Sequence, residues 1–379
     1  MPIGLILTIG LIALGTALAL IPRRGGKITY FLTVVVNEIP HVVAAYVLVV
    51  MTLAWFQDDL EGATGTILVA LTAATLAGHV ELTRRAMTAG SSVDSALGRG
   101  GIEHAPAAGR VLRPLMAPFP LRPWGVTRTR NISYGSHRRQ RLDVYGPRHR
   151  QAVGPVLVYL HGGGYYSGRK HHEARALLHH FASQSWLCIS ADYRLRPGAG
   201  FEDHLADARA VVTWAHTHAH EHGGDASTLA MAGSSAGGHL TALCALTQHS
   251  QPDPGTSQID AAVGLYGYYG RYYGRGPDEW PISSALDLDA TKSPPFFLVS
   301  GGRDSWVPPD LAPAFARQLR SQSRNAVVHA GLPNAQHGFD LFYSWRFAAV
   351  IGGLDAFLAT VQDPRTRGAS AGHVADQKT

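Results

Sequence analysis

The stretch Gly233-Ser234-Ser235-Ala236-Gly237 decides how the rest of this chain is interpreted. It lies between an apolar run, Leu229 to Ala232, and a helix-like run, His239 to Leu246. A serine in a sharp turn between a strand and a helix needs small neighbours, because only Gly or Ala fits beside it. The sequence therefore predicts a strand, a tight turn and a helix, with the hydroxyl of Ser235 pushed into solvent as a nucleophile. A flexible Gly/Ser connection is the structural alternative.

A second glycine-rich motif, His161-Gly162-Gly163-Gly164, follows the apolar run Pro155 to Leu160, which is typical of a buried parallel strand. Successive glycines let the backbone approach a ligand and leave N–H groups free to donate. An enzyme that cleaves esters needs such donors, because the attacked carbonyl oxygen becomes an oxyanion. The predicted donors are the N–H groups of Gly163, Gly164 and Ala236, and a plain Gly-rich loop is the alternative.

A carboxylate is predicted after a later strand. The apolar run Pro295 to Ser300 precedes Asp304, and a carboxylate in such a loop can accept a hydrogen bond from a histidine ring and fix its tautomer. Asp310 is the competitor, but it stands directly before the amphipathic run Leu311 to Leu319 and suits a helix start better. Asp304 is therefore the predicted acid.

The general base must be sought among 20 histidines, and a histidine is more often a surface or structural residue than a catalytic one. His337 differs from the others because it lies in the loop after the last predicted strand, Ala326 to His329. Ser235, Asp304 and His337 then follow the chain order of nucleophile, acid and base found in α/β hydrolases. These three are the predicted catalytic residues.

The stretch from Arg141 to Val361 resembles the hormone-sensitive-lipase-like group of α/β-hydrolase esterases. The residues that carry the resemblance are His161-Gly162-Gly163-Gly164, Asp192-Tyr193-Arg194-Leu195-Arg196-Pro197, Gly233-Ser234-Ser235-Ala236-Gly237-Gly238, Asp304 and His337. The resemblance implies an α/β-hydrolase fold and a serine hydrolase that cleaves carboxylic esters without a cofactor. It implies structural support from Asp192 and Arg194 beneath the oxyanion loop, and from His161, Gly162, Gly233 and Gly237 within the two motifs.

Two features depart from the pattern of that group. The group often has an acidic residue where this chain has Ser234. The acid motif, Gly302 to Pro308, is closer to feruloyl-esterase-like and general α/β-hydrolase members. These differences bear on the substrate more than on the reaction.

The first part of the chain is apolar enough to suggest a membrane domain, residues 1–83. Pro2 to Ile21 carries no charged side chain, and further apolar runs cover Ile39 to Phe56 and Thr64 to Val80. About 20 apolar residues at about 1.5 Å each cross a hydrocarbon core of about 30 Å. Three transmembrane helices are predicted, with two or four as alternatives. Glu38 would be costly at mid-bilayer, so it is placed near an interface, with Ile28 to Val36 in that interface or lengthening a kinked span.

A cleaved signal peptide is the rival interpretation of the first apolar run, but no Lys or Arg precedes that run and two more apolar runs follow it. Flanking charge predicts the orientation, since basic flanks stay in the cytoplasm. The basic flanks are Arg23, Arg24, Lys27, Arg84 and Arg85, whereas the intervening loop carries Asp58, Asp59 and Glu61. The prediction is a multi-pass protein, in the plasma membrane, with its catalytic domain in the cytoplasm.

Residues 84–125 are interpreted as a basic linker, at the start of an arginine-rich stretch that contributes much of the net charge of +6. Attraction to anionic lipid headgroups is a simpler explanation beside apolar segments than a nucleic-acid-binding arm, and plain solvation is a further alternative. The expected partners are therefore an ester substrate, small or lipid-derived, and membrane lipids, with no nucleic acid.

Two other residue groups have structural explanations. Cys188 and Cys244 fall in apolar contexts and are expected to be buried free thiols rather than a disulfide. The cluster His216, His218, His220 and His222 has the i,i+4 spacing of a zinc site, but the glycines that follow it indicate a solvent-facing helix end. No metal site is predicted.

The alternation of strands and helical runs predicts a mostly parallel sheet in a catalytic domain of residues 126–362. An aromatic-rich segment near residues 266–288 is interpreted as a cap over the substrate, with packing at the sheet edge as the alternative. Residues 363–379 are expected to be a disordered tail. The leading function is a membrane-anchored carboxylesterase or lipase. An amidase or formamidase with the same triad, and a non-catalytic membrane adaptor, are the alternatives.

Overall fold

A computed structural model describes residues 3–21, 26–104, 112–149, 154–250 and 258–362. The predicted tail, 363–379, lies outside the described residues. The strands are β1 Val126–Ser133, β2 Arg141–Pro147, β3 Gly154–Leu160, β4 Leu187–Ala191, β5 Gly224–Ser234, β6 Ala261–Leu265, β7 Phe296–Gly301 and β8 Val327–Leu332. The helices are α1 Ile3–Leu20, α2 Lys27–Glu38, α3 Pro40–Phe56, α4 Gly62–Met87, α5 Ala89–Arg99, α6 Leu112–Met116, α7 Arg175–Ser183, α8 Phe201–His218, α9 Ala236–Thr247, α10 Leu311–Gln322 and α11 Trp345–Gln362.

The strands form one sheet of eight in the order β1-β2-β4-β3-β5-β6-β7-β8. The pairs of β2 with β1 and with β4 are antiparallel, and every other pair is parallel. Helices α5, α7 and α11 pack on one face of this sheet and α8, α9 and α10 on the other. The predicted α/β architecture, a mostly parallel sheet covered on both faces, is confirmed.

The apolar runs form strands because both faces of a parallel sheet are covered. Strand β3 is an example, since all five of its residues from Val156 to Leu160 are at most 1% exposed. The strand predicted before the Ser235 turn lies within β5, and the helix predicted after the turn is α9. The amphipathic run after Asp310 forms α10, with Asp310 at its N-cap position, as predicted.

Within residues 84–125, expected to be a basic linker, the described part includes helices and several buried side chains. Helix α5 lies within this range, and its Val93, Ala96 and Leu97 are at most 1% exposed in the core that the sheet shares with α11. A small residue is needed where α5 ends, because a Cβ at Gly100 would come within 2.8 Å of a Val328 side-chain carbon on β8. The linker interpretation is therefore corrected for α5, whose apolar face completes the hydrolase core.

The N-terminal helices have a small core of their own and a large apolar exterior. Ile9, Val47 and Leu82 are each 0% exposed in the core between these helices. The exterior includes Leu7, Leu11, Val49, Leu53 and Ile67, each more than half exposed. Such a contiguous apolar exterior is typical of a membrane or partner-binding surface.

Length and composition qualify two helices as candidate membrane spans within the described residues. These are Ile3–Leu20 and a near-continuous helix of 38 residues, Gly62–Arg99, made of α4 and α5. Helices α2 and α3 meet at 87° across a break at Ile39, and counting that bent pair as one span brings the number to three. The predicted alternative, in which Ile28 to Val36 lengthens a kinked span, corresponds to this bent pair.

Glu38, expected near a lipid interface, lies against the hydrolase domain. Its carboxylate lies 3.1 Å from Arg346 Nη1 at the start of α11, and both side chains are at most 1% exposed. Ser344 Oγ donates to the other carboxylate oxygen at 2.9 Å. The sequence analysis missed this ion pair because its partners lie at opposite ends of the chain.

The cysteines are buried free thiols, and histidines of the cluster make hydrogen bonds within the protein. Cys188 and Cys244 are buried and not bonded to each other, as expected. His216 Nε2 contacts the Gln258 carbonyl at 2.8 Å, and His218 Nδ1 contacts Glu221 at 2.8 Å. The helical run ends at Gly223, whose φ of 79° is left-handed. Across the described residues, no three His, Cys, Asp or Glu side chains are grouped as a metal site.

Candidate active site

Ser235 occupies the turn between β5 and α9 in a conformation that few non-glycine residues adopt. Its backbone angles are φ 53° and ψ −114°. The turn is held by hydrogen bonds, since the Ser235 N–H donates to the Leu265 carbonyl at 2.9 Å and the Ser235 carbonyl accepts from the Tyr268 N–H at 3.3 Å. Strained backbone of this kind persists only where the surrounding structure enforces it.

The glycines on either side of Ser235 have a steric reason. A Cβ at Gly233 would lie 2.2 Å from the Gly237 carbonyl oxygen. A Cβ at Gly237 would lie 2.1 Å from the Leu160 carbonyl oxygen at the end of β3. Both distances are far inside van der Waals contact, so the turn can close only when these positions lack side chains.

The hydroxyl of Ser235 was expected to project into solvent, but the residue is only 9% exposed. The glycine-rich loop after β3 packs against it, and a Cβ at Gly162 would come within 3.0 Å of the Ser235 Cβ. Ser235 therefore lies at the bottom of the site, under the loops that follow the neighbouring strands.

Four loops come together at one edge of the sheet because parallel strands end at the same side. They follow β3, β5, β7 and β8 and carry the predicted oxyanion donors, Ser235, Asp304 and His337 in that order. Asp304 and His337 are in direct contact, since His337 Nδ1 lies 2.7 Å from Asp304 Oδ2. The Nδ1–H donates to the carboxylate in the tautomer that leaves Nε2 free to accept a proton.

The Asp304 carboxylate is held on its other side as well. It is 2% exposed, and its Oδ1 accepts the N–H groups of Trp306 and Val307 at 2.8 Å each. The Gln336 amide joins the Asp304 loop to the His337 loop. Its Oε1 accepts from the Ser305 N–H at 2.7 Å and from the His337 N–H at 2.9 Å. The orientation of the His337 ring is thereby fixed from both neighbouring loops.

The predicted oxyanion donors have open N–H groups. Gly163 and Gly164 have φ values of 102° and 59°, and neither amide nitrogen donates a hydrogen bond to another described residue. Ala236 is the first residue of α9, where an α-helix leaves its N–H groups without intrahelical partners. The Gly162 N–H differs, since it donates to Glu173 Oε2 at 2.6 Å.

His161 and Tyr193 form the base of the glycine-rich loop. Their rings stack with centroids 4.4 Å apart, and the Tyr193 hydroxyl donates to the His161 carbonyl at 2.9 Å. Burial lowers the pKa of His161 to about 4, so the ring is neutral at pH 7. Asp192 accepts from the Lys170 N–H at 2.7 Å, and Arg194 pairs with Asp207 at 2.7 Å. These contacts fit the supporting role implied for Asp192 and Arg194.

A buried carboxyl group near Ser235 escaped the sequence analysis. Asp340, three residues after His337, is fully buried and accepts from Ser234 Oγ at 2.8 Å and from the Tyr266 hydroxyl at 2.5 Å. It supplies a carboxylate beside Ser234, the position at which related esterases often carry an acidic residue. No sequence signal marks it beyond its closeness to the predicted base.

Glu173 is the second acid that the sequence analysis missed. Burial, followed by the charge of Asp340, raises the pKa of Glu173 to about 8. The pKa of Asp340 is also raised, chiefly by burial. Two carboxyl groups therefore share a water-poor region behind Ser235, where keeping a proton costs less than holding two charges.

The aromatic segment near 266–288 touches the site at several points. Tyr266 packs on His337 with ring centroids 4.4 Å apart, and Tyr272 packs on Tyr165 of the glycine-rich loop at 4.9 Å. Tyr269 is turned away, since it is buried against Phe315 of α10 at 4.5 Å. The segment thus combines site-facing rings with rings that pack on the domain.

Comparison with known proteins identifies relatives of this chain. Residues 142–271 match the protein family described as BD-FAE. The chain is 32% identical to the probable carboxylic ester hydrolase LipM of Mycobacterium tuberculosis over 321 residues, which cover 76% of this chain and 74% of that protein. It is 32% identical to the esterase LipC of the same organism over 267 residues, 63% of this chain and 66% of that protein.

Solved structures share the fold at lower identity. Esterase B of Lactobacillus rhamnosis superposes with a TM-score of 0.55 at 20% identity, over 75% of this chain and 99% of that one. A truncated carbohydrate esterase from gut microbiota gives a TM-score of 0.54 at 18% identity, over 62% of this chain and 97% of that one.

The fold and these relatives define the class of protein as an α/β-hydrolase. Within that class, the chain belongs to the hormone-sensitive-lipase-like family of esterases and is a carboxylic ester hydrolase.

Proposed function

We propose that this protein is a membrane-anchored serine carboxylesterase or lipase with Ser235, His337 and Asp304 as its catalytic triad. The observation that carries the proposal is the arrangement of these residues at one edge of the sheet. Ser235 sits in a strained turn after β5, and His337 contacts Asp304 at 2.7 Å in the loops after β7 and β8. The same arrangement on unrelated folds performs acyl transfer.

The residues suggest the sequence of steps. His337 Nε2 takes the proton of Ser235 as the hydroxyl oxygen attacks the ester carbonyl, and Asp304 stabilises the imidazolium that forms. His337 then gives that proton to the departing alcohol oxygen, leaving an acyl group on Ser235. Water, deprotonated by the same ring, attacks the acyl carbon, and His337 returns the proton to Ser235 Oγ as the bond between that oxygen and the acyl carbon breaks and the acid leaves.

The negative charge of each tetrahedral intermediate falls on the former carbonyl oxygen. The N–H groups of Gly163, Gly164 and Ala236 are the proposed donors to it. Loss of one such donor typically lowers turnover by about 100- to 1,000-fold. The Gly162 N–H is occupied by Glu173 and is assigned to holding the loop.

The membrane part of the proposal rests on the apolar helices. Helices α1, α3 and α4 are proposed to cross the bilayer, and α2, bent 87° from α3, lies at its cytoplasmic face against the hydrolase domain. The proposed location of the catalytic domain is the cytoplasm, and the basic residues after α1 and in the last turn of α4 support it. A lipid-derived ester is the proposed substrate, since the site lies beside these helices.

The triad is tested by hydrolysis of nitrophenyl esters from acetate to palmitate, with the full chain in detergent. Ser235→Ala is expected to lower turnover by about 10⁴-fold or more, because the nucleophile is lost while the fold is kept. A fluorophosphonate should label the wild-type chain covalently and not label Ser235→Ala. The chain length preferred by the wild type would report the depth of the acyl site.

Ser234→Ala is the matched control, since it removes the neighbouring hydroxyl and should still be labelled. Labelling or full turnover in Ser235→Ala would refute the nucleophile assignment. A wild type that cleaves nitroanilide amides and no ester of the series would replace the esterase with an amidase.

A further inference from the structure

Helices α1 to α4 form an N-terminal module. Helix α2 of this module packs beside His337, the proposed general base. The rings of Tyr30 and His337 lie 6.3 Å apart by centroid, edge to face at 74°. Trp306, two residues after Asp304, lies 5.9 Å from Tyr30 and 6.4 Å from His337. Two aromatic rings from distant parts of the chain therefore border the same imidazole.

Both ends of α2 are fixed to the hydrolase domain. Near its start, Lys27 Nζ lies 4.9 Å from the Trp306 ring centroid. At its end, the Asn37 amide donates to the Asn334 carbonyl at 3.3 Å, and Glu38 pairs with Arg346. Helix α2 is thus held across the loop that carries His337.

The backbone beside His337 is shaped to admit Tyr30. Gly338 has a φ of 70°, and a Cβ at this position would come within 2.9 Å of the Tyr30 hydroxyl oxygen. Tyr30 and Trp306 are both partly exposed, and Trp306 is 41% exposed. They border the site while remaining accessible to a ligand.

The position of these rings indicates which part of an ester they meet. Asp304 occupies the Nδ1 edge of His337, so the proton for the leaving group passes from Nε2. The alcohol part of the ester must then lie against His337, among the groups that border its ring. The acyl part stays on Ser235 when the alcohol leaves.

We propose that Tyr30 and Trp306 form a wall of the subsite for the alcohol part of the substrate, so that the N-terminal module determines alcohol specificity. The subsite takes an apolar alcohol, since the exposed face of α2 continues the same apolar surface with Ile28 and Phe31, 78% and 68% exposed. This inference rests on the proposed serine esterase function.

The test compares Tyr30→Ala with the wild type as full-length protein in detergent. One substrate series holds the acyl group as butyrate and varies the alcohol from methanol to octanol, with acid release followed by titration. The other holds nitrophenol and varies the acyl group from acetate to octanoate. Tyr30→Ala is expected to change the octyl-to-methyl ratio of kcat/KM by about 10-fold or more, a size typical of contacts in apolar pockets. The acyl preference should stay the same.

Two further variants make the result specific. Val35→Ala, at a 42% exposed position of α2 near the end of the helix away from Tyr30, should leave both preferences unchanged. Tyr30→Trp, which fills more of the subsite, should shift the alcohol ratio in the opposite direction to Tyr30→Ala, and it decides the question if Tyr30→Ala does not fold.

An alcohol ratio within twofold of wild type in folded, fluorophosphonate-reactive Tyr30 variants would overturn the inference. Equal shifts in both series would overturn it too, because they would indicate a general disturbance of the site. Absence of Ser235-dependent turnover in the wild type would refute the proposed function instead, so the two failures are distinguishable.

Discussion

Two carboxyl groups, the partly buried Glu173 and the fully buried Asp340, tie the glycine-rich loop and the His337 loop to the interior behind Ser235. Glu173 accepts the Gly162 N–H, and Asp340 accepts hydroxyl groups from Ser234 and Tyr266. Tyr159 on β3 connects to this network through its hydrogen bond to Ser234 at 2.8 Å. The positions of the glycine-rich loop, the Ser235 turn and the His337 loop are therefore linked through single side chains.

The raised pKa of Glu173 predicts a pH dependence of stability. In the unfolded chain Glu173 ionises near its ordinary pKa of 4.5, whereas the folded chain keeps the proton to about pH 8. Unfolding therefore releases a proton between these values, and the free energy of unfolding falls as pH rises through this window. Glu173→Gln cannot ionise, so its Tm should fall less than that of wild type between pH 5 and 8, by about 2–4 °C for each kcal/mol of the Glu173 contribution removed.

Thermal unfolding of both proteins in the same detergent measures this difference. Parallel Tm curves for wild type and Glu173→Gln across the window would contradict the assignment. The sequence could not have predicted it, because neither the burial of Glu173 nor its closeness to Asp340 is visible before the fold is known.

At the scale of elements, the sequence predicts well where a run of like residues decides the structure. The apolar runs before Ser235, Asp304 and His337 form β5, β7 and β8 because burial on both faces selects continuous apolar strands. It predicts less where a residue's role depends on a distant partner. Helix α5 was assigned to a linker because the surrounding arginines suggested attraction to lipid headgroups or solvation, whereas the apolar stripe of α5 packs on the sheet.

The contact between α2 and α11 gives a prediction for one pair of elements. Arg346→Met should destabilise the protein by about 3–5 kcal/mol, because it leaves the buried Glu38 carboxylate without its cation. The double variant Glu38→Leu with Arg346→Met should recover most of this loss, since a well-packed apolar pair can replace a buried ion pair. Thermal or denaturant unfolding in detergent measures both effects.

Arg84→Met is the control, since Arg84 is 67% exposed in its ion pair with Glu81. Exposed pairs contribute little to stability, so this variant should resemble wild type. A single Arg346→Met variant as stable as Arg84→Met would show that the α2–α11 contact is not held by the ion pair.

At the scale of the whole molecule, the prediction concerns orientation. Cys188 and Cys244 are 0% and 3% exposed, so a cysteine introduced at the surface would be the reactive one. In intact cells, an impermeant maleimide should label Gln57→Cys, after α3, and should not label Ser321→Cys, near the end of α10. Both variants should react after the cells are opened.

Labelling of Ser321→Cys in intact cells would place the catalytic domain outside, and recovery of the wild type in the soluble fraction would exclude membrane anchoring. Gln57 and Ser321 are both exposed, so a difference between them reports the side of the membrane. The basic residues that predict this orientation are readable from the sequence, whereas the bend that separates α2 from α3 is not.

Only Thr88 separates α4 from α5, and the two form a near-continuous helix of 38 residues, with α5 built into the hydrolase core. With α4 in a bilayer, the α4–α5 connection offers no flexible linker about which the catalytic domain could reorient. Ser235 would then lie at a fixed height above the lipid, because a rigid helix and not a flexible linker would join the catalytic domain to the membrane. The enzyme would cleave molecules that come to that height, and bulky targets far from the bilayer would remain out of its reach.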